Sequence, residues 1–298
     1  MSKPKSAGRV RQSYKFISAH WSRDSVKAMC EVLDVAPSGY YEWLKSPLSN
    51  RAQEDVRLLR LIRASFTAST GIYGAPRVFL DLREAGETCS KHRVARLMRE
   101  NDFRALHGCR TRRWTVGKTT VLIPNLLQRQ FMVTQPSTAW VTDIKYIRTW
   151  QGWLYPAVVL DLCSRRVVGW AASRSPDAAV ALAAWHRAAA LRQPAPGLLH
   201  HSDRGSIYAC RAYQEALAAR HATPSMSRRG DCWDNAVVES VVATLKRGLV
   251  HRQTWATRSS LTRALVDYIE GWYNPERRHS PLDYVCPIAY EAQLARAA

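Results

Sequence analysis

Three strand-type runs follow one another between Trp140 and Ser173 with only short turns between them, and no other stretch limits the fold as tightly. WVTDIKYI alternates apolar and polar residues, Thr149 to Gly152 turns the chain, LYPAVVLD is a second run, and VVGWAAS follows the Ser164 to Arg166 turn. Runs of this length joined by short turns form an antiparallel meander. Ser175, Pro176 and Asp177 then open an alanine-rich helix ending near Arg192, before the PAPG stop. LLHH supplies a short fourth strand, Arg211 to Arg220 a helix, ATPSM a fifth strand, and the segment from Ala236 a last helix with one long apolar flank. The order β-β-β-α-β-α-β-α predicts an α/β fold, a mixed five-stranded sheet with helices on its faces, as in ribonuclease H-like cores.

Upstream the pattern is all-α. Residues before about Trp21 are basic and polar and are expected to be mobile unless DNA or another chain orders them. Ser22 is placed to cap a helix with Trp21 stapled against Val26, and Val26, Met29, Cys30 and Leu33 recur at helical spacing. YYEWL makes a second short helix after a tight turn, so the pair reads as a helix-turn-helix. A longer helix from about Ala52 to Phe66 turns Val56, Leu59, Ile62 and Phe66 inward. A second helix pair follows, with Pro76 in a first turn, Gly86 as a stop and Ser90 as a cap. Its last helix sets Val94, Leu97 and Met98 toward a core and leaves Lys91, Arg93, Arg96 and Arg99 outside, the layout of a recognition helix. Residues 108 to 136, with Arg112 and Arg113, read as a basic tether lying along DNA. The predicted layout is an arm with a first helix-turn-helix over 1–50, a second over 51–107, a linker over 108–136, a catalytic core over 137–256, and a C-terminal helix and tail over 257–298.

Charge supports a nucleic-acid partner. The chain of 298 residues carries a formal net charge of +20, of which +13 lies in residues 1–130 and +7 in the remainder. Such an excess speaks to association with a polyanion, nucleic acid first, and not to fold, and the two basic helix pairs turn the expectation toward double-stranded DNA. Seven cysteines without a CxxC pair point to reduced thiols in a cytosol and away from a zinc finger. No apolar run approaches a membrane span, and no apolar stretch follows the basic N-terminus, so neither insertion nor secretion is indicated.

Three acids fall where chemistry would use them. Asp143 sits mid-strand in WVTDIKYI, Asp203 at the tip of the fourth strand, and Glu239 on the last helix. Each has an ordinary alternative: a strand aspartate paired with a lysine, a turn or capping aspartate, a helix-surface glutamate. Together, two strand aspartates and a helix glutamate suit a site for two hard divalent cations, which take oxygen ligands and flank an in-line phosphoryl transfer. Lys246, nearly two turns after Glu239, and Asn235, one turn before it, share its helix face. Lys246 is then expected to hold a DNA phosphate beside the metals, or else to be a solvated helix lysine.

The words around these residues are WVTDIKYI, YPAVVLDLCSRRVVGW, HHSDRGSIY, SMSRRGDCWDNAVVES and YNPERRHSPLDY, with YGAPRV and SKHRVARLM upstream. They resemble the second-reading-frame transposase of the IS-three family of bacterial insertion sequences, within the DDE superfamily of integrases and transposases. The resemblance covers most of the chain. It implies Asp143, Asp203 and Glu239 as catalytic, metal-holding acids that use two magnesium ions, with manganese able to substitute. It implies cleavage at element ends by water, strand transfer by the freed 3′ hydroxyl, and a circular intermediate. It also implies a homo-oligomer on DNA, a possible upstream-frame partner or fusion, and a cytoplasmic, nucleoid-associated protein. Arg228, Arg229, Arg277, Arg278 and His279 join Lys246 and Asn235 as expected DNA contacts, the last three in a polar knot that either touches DNA or shapes the site. Ile207 stands where the family usually has glutamine, Asp231 where asparagine is common, and Asp283 where glycine is common. Two other readings stay open from the residues themselves: a DNA-binding regulator without chemistry, and a nuclease of RNA–DNA hybrids.

Overall fold

The computed structural model describes residues 7–45, 49–105, 123–228 and 232–297. Three short helices open the chain: α1 (Ala7–His20), α2 (Val26–Val32) and α3 (Pro37–Lys45). The N-terminal arm is therefore helical from Ala7, contrary to the expectation of a mobile segment. Ile17 is buried with Met29, Cys30 and Tyr40, and Tyr14 packs its ring against Tyr40 and Trp43. Trp21 is exposed and Ser25, not Ser22, occupies the N-cap position of α2, so the predicted staple does not form.

The next three helices are α4 (Asn50–Ala68), α5 (Ala75–Glu84) and α6 (Lys91–Glu100). Ser49 caps α4 by accepting from the Ala52 amide, and Ser90 caps α6 by accepting from Arg93. The core they share holds Leu58, Ile62, Val78, Leu82, Val94, Leu97 and Met98. Val56 is exposed where an inward position was expected, because Leu58 takes the buried stripe of α4.

The sheet contains β1 (Ala139–Ile144), β2 (Ile147–Thr149), β3 (Gly152–Asp161), β4 (Val167–Ser173), β5 (Leu199–Ser202) and β6 (Thr223–Met226). It has six strands, not five, because the first run is interrupted. Ile144 pairs with Ala157 and Ile147 with Leu154, so β2 continues the β1 ladder in register along the same side of β3. Between them the Lys145 amide donates to the Pro156 carbonyl at 2.9 Å, but Pro156 has no N–H to return the bond. The rung is half missing, and the strand breaks there. β3 is antiparallel to β1 and β4, whereas β1, β5 and β6 run parallel.

Parallel neighbours need a crossover. α7 (Ala178–Arg192), capped by Asp177 at the Val180 amide, carries the chain from β4 across the sheet to β5, which lies parallel beside β1. α8 (Ser206–Ala209) and α9 (Arg211–Ala218) join β5 to β6, and α10 (Ala236–Gly248), α11 (Arg258–Tyr268) and α12 (Pro287–Ala297) complete the chain. α7, α8 and α9 bury Trp140, Val159, Trp185 and Tyr213 on one face of the sheet, while α10 and α11 bury Val141, Val158, Leu160, Val242 and Leu265 on the other. The later part of the predicted tether is docked and not loose. Leu127 is buried in the second of these cores, and the Leu126 and Leu127 amides donate to Ser225 Oγ at 2.9 and 3.3 Å. Arg112, Arg113, Arg229 and Asp231 lie outside the described residues.

Candidate active site

The β1–β5 ladder brings two of the three acids together. Thr142 pairs with Ser202, so the next residues, Asp143 and Asp203, stand side by side at the C-terminal ends of adjacent parallel strands. One strand spacing is about 4.8 Å. Strand alternation puts Asp143 with Val141 on the face covered by α10. The third acid comes with that helix: the Asn235 side-chain amide, at its N-cap position, donates to the Thr142 carbonyl at 3.3 Å, and Glu239 lies exposed in the first turn.

The electrostatics are those of acids forced together. Burial, then the charge of Asp143, pushes the Asp203 carboxyl up to about 6, with Glu239 adding to the rise and Lys145 opposing it. Asp203 Oδ1 is buried and accepts no hydrogen bond. Lys145 makes an ion pair with Asp143. Burial would draw that ammonium down, but Asp143, with help from Glu239 and Asp203, holds it above its ordinary range. Lys246 is half-buried on the same face, and burial followed by repulsion from Lys145 lowers its pKa. Among the described residues no three His, Cys, Asp or Glu side chains are already drawn together tightly enough to hold a metal ion. The donors nevertheless fit one. A buried carboxylate oxygen has no partner beside a second carboxylate, and a lysine supplies the positive charge that the cluster otherwise lacks. Gly205 leaves Oδ1 this space, because a Cβ there would stand 2.9 Å from it.

Several expected DNA contacts have other work in the fold. Asn235 is buried and docks α10 onto β1, so it positions Glu239 and is not a surface contact. Arg93 and Arg96 both bind Asp55 of α4 at 2.7 Å, holding α6 in place, while Lys91 and Arg99 remain exposed. The polar knot also turns inward. Arg278 pairs with Asp81 at 2.7 Å and with Glu84, and its amide donates to Tyr73 Oη at 2.8 Å, fastening the core to α5. His279 is buried edge-on against Tyr273. Arg277 hydrogen-bonds the His279 ring and donates to Thr244 Oγ1 at 3.3 Å on α10. The knot thus ties α5 and α10 to the C-terminal segment.

Sequence reasoning missed two residues. Lys145 was legible in principle, since two residues on from Asp143 in a strand means the same face. Asp234 carried no periodic signal. It has no exposed side-chain surface and accepts from Arg228 Nη2 at 2.9 Å, Arg129 Nε at 2.8 Å and Asn125 Nδ2 at 2.8 Å. These bonds tie the 123–129 segment and Arg228 to the turn that starts α10. Ile207 packs partly buried against the α7 side of the sheet, and Asp283 has φ 49°, a left-handed conformation that glycine adopts without strain.

Residues 133–232 and 220–287 each match an integrase core domain family, and residues 53–113 match an HTH-like domain family. The chain is 37% identical over 284 residues to the Transposase InsF for insertion sequence IS3A of Escherichia coli (strain K12), spanning 93% of this chain and 98% of that one. It is 34% identical over 271 residues to the insertion element IS600 uncharacterized 31 kDa protein of Shigella sonnei, spanning 91% and 100%. Among solved structures it is similar to the HTLV-2 integrase catalytic core domain in complex with magnesium (trimeric form), at 16% identity and a TM-score of 0.41, over 52% of this chain and 97% of that one.

Proposed function

This chain belongs to the IS3-related family of insertion-sequence transposases, enzymes of DNA transposition with an integrase core and an HTH-like domain, and from that membership we propose that Asp143, Asp203 and Glu239 are its catalytic acids. They act in cleavage of a DNA strand at each element end and in transfer of the freed 3′ hydroxyl to a second strand, through a circular intermediate. The juxtaposition of Asp143 and Asp203 across the β1–β5 ladder, with Asp203 Oδ1 buried and unbonded, carries the proposal.

The three acids would hold two magnesium ions, or manganese in their place. When bound, such a pair stabilises the attacking and the leaving oxygen of an in-line displacement. The protein's own groups do the rest. Asn235 fixes α10 against β1 and so sets where Glu239 stands. Lys145 exchanges Asp143 for a DNA phosphate, and Lys246, on the same face, holds a neighbouring one. Upstream, Lys91 and Arg99 on the exposed side of α6 contact the duplex. Bridging two ends requires more than one copy of the chain, with or without an upstream-frame partner.

Asp143→Ala, Asp203→Ala and Glu239→Gln are each expected to bind end-containing DNA as the unaltered protein does. Strand transfer should fall by about a thousandfold or more, equivalent to roughly 4 kcal/mol of barrier. Undiminished joining by any purified variant, measured with magnesium on labelled end duplexes, would sink the assignment.

A further inference from the structure

Past the catalytic aspartate the chain builds something that the core does not use. Tyr146 and Trp153 are 56% and 41% exposed, and Trp150 at the hairpin tip is 78% exposed. These are large apolar rings on a hairpin that is otherwise firmly held. The Trp150 amide donates to the Trp255 carbonyl at 2.9 Å, Arg258 Nε donates to the Trp153 carbonyl at 2.9 Å, and the Arg258 amide donates to Gln151 Oε1 at 3.2 Å. Gly152 turns at φ 103°, with the Arg258 guanidinium where a Cβ would sit. The exposure therefore belongs to an anchored element and not to a fraying end.

The rings are also arranged. Tyr146 stands edge-to-face with Trp153 at 6.5 Å and with Tyr155 at 5.1 Å, and the exposed Arg148 lays its guanidinium 5.3 Å from the Trp153 ring centroid. Register places them on the same strand line beyond Asp143. Tyr146 follows Asp143 by three residues, about 10 Å of extended chain. Alternation puts Tyr146, Arg148, Trp153 and Tyr155 on the face opposite Asp143, at the same end of the sheet. An aromatic face beside a fixed guanidinium suits a base that has left its partner strand. The ring stacks on the base while the cation meets the backbone, with little demand on sequence. A paired duplex offers no base face except at its end.

We propose that Tyr146, Arg148 and Trp153 form a stacking platform for unpaired bases of the DNA strand that passes the cut site. The proposal rests on the transposase reading above but needs no catalysis to be tested. The probe is a labelled thymidine oligonucleotide of about 12 nucleotides, titrated with the full-length protein by fluorescence anisotropy without metal, at a salt concentration that suppresses bare phosphate attraction. A fully paired, covalently closed circular duplex, without strand ends or loops, serves as the reference ligand. Trp153→Ala and Tyr146→Ala should each weaken the single strand by about tenfold, Trp153→Phe should restore most of that loss, and binding of the closed duplex should stay within about twofold. Unchanged single-strand binding in Tyr146→Ala/Trp153→Ala, or an equal loss on both ligands, would overturn the platform. So would a fall in sedimenting mass of the DNA-free double variant with single-strand binding intact, which would mean that a second copy of the chain covers the rings. Loss of strand transfer in the Asp143, Asp203 and Glu239 variants is scored separately, so failure of either idea leaves the other readable.

Discussion

Single charges decide where the site's parts stand. Hydrogen bonds from Arg228, strengthened by Arg129, hold the Asp234 carboxyl well below the usual carboxylate range, although burial pushes the other way. A carboxyl lowered in the fold contributes stability that is complete above its unfolded pKa of about 4 and is lost as pH falls through its folded value. Asp234→Asn is therefore expected to lower unfolding free energy at pH 7 by roughly 2 kcal/mol, the scale of hydrogen bonds to a charged group. The gap in urea melts should narrow below about pH 4. Equal stability of the two proteins at pH 7 would refute it. Lys145 behaves differently, because its partner lies among like charges. With Lys145→Ala the metal-free protein should lose about 3 kcal/mol, as a buried pair broken on one side does. Magnesium should then raise the melting temperature of the variant more than that of the unaltered protein, and a matching rise in both would rule out Lys145 as the cluster's counter-charge.

At the scale of elements, close approach governs. A Cβ on Gly169 of β4 would lie 2.4 Å from the Ala184 carbonyl and 2.6 Å from Ala188 Cβ on α7. Gly169→Ala should cost about 1–3 kcal/mol by forcing sheet and helix apart, visible as an earlier thermal transition with no change in the α4–α6 unit. Periodicity made most of these elements legible: the alternating runs of the meander, the alanine-rich α7, and the Pro76, Gly86 and Ser90 punctuation all lie where the structure has them. What escaped depended on partners that only folding supplies. The break at Lys145 needs Pro156 opposite it, α1 needs the hydrophobic patch of α2 and α3 beneath Ile17, and the phase of α4 was blurred by Leu58, Leu59, Leu61 and Ile62 in one run. The acids were visible as residue types. That Asn235, Arg278 and His279 face inward was not, since a polar residue on a surface and one sealing a joint look alike in one dimension.

For the whole molecule, the joint between the helical region and the core matters most. Trp272 packs against both hydrophobic cores, Ile72 reaches the space that Gly248 leaves open, and Arg278 clamps Asp81 and Glu84. Removing the clamp with Arg278→Ala should let the α4–α6 unit swing away while the sheet stays folded. A larger radius of gyration in solution scattering with an unshifted core melting transition is the expected pair of results, and an unchanged radius would show that Trp272 and Ile72 suffice. The parallel β1–β5 ladder has a further consequence, in the timing of synthesis. Asp143 leaves the ribosome 60 residues before Asp203 and 96 before Glu239. At about 5–20 residues per second, roughly 5–20 s pass between the first acid and the last. During that interval the nascent chain already carries its basic helices but no complete set of acids. The proposed site therefore lacks an acid until Glu239 has been added.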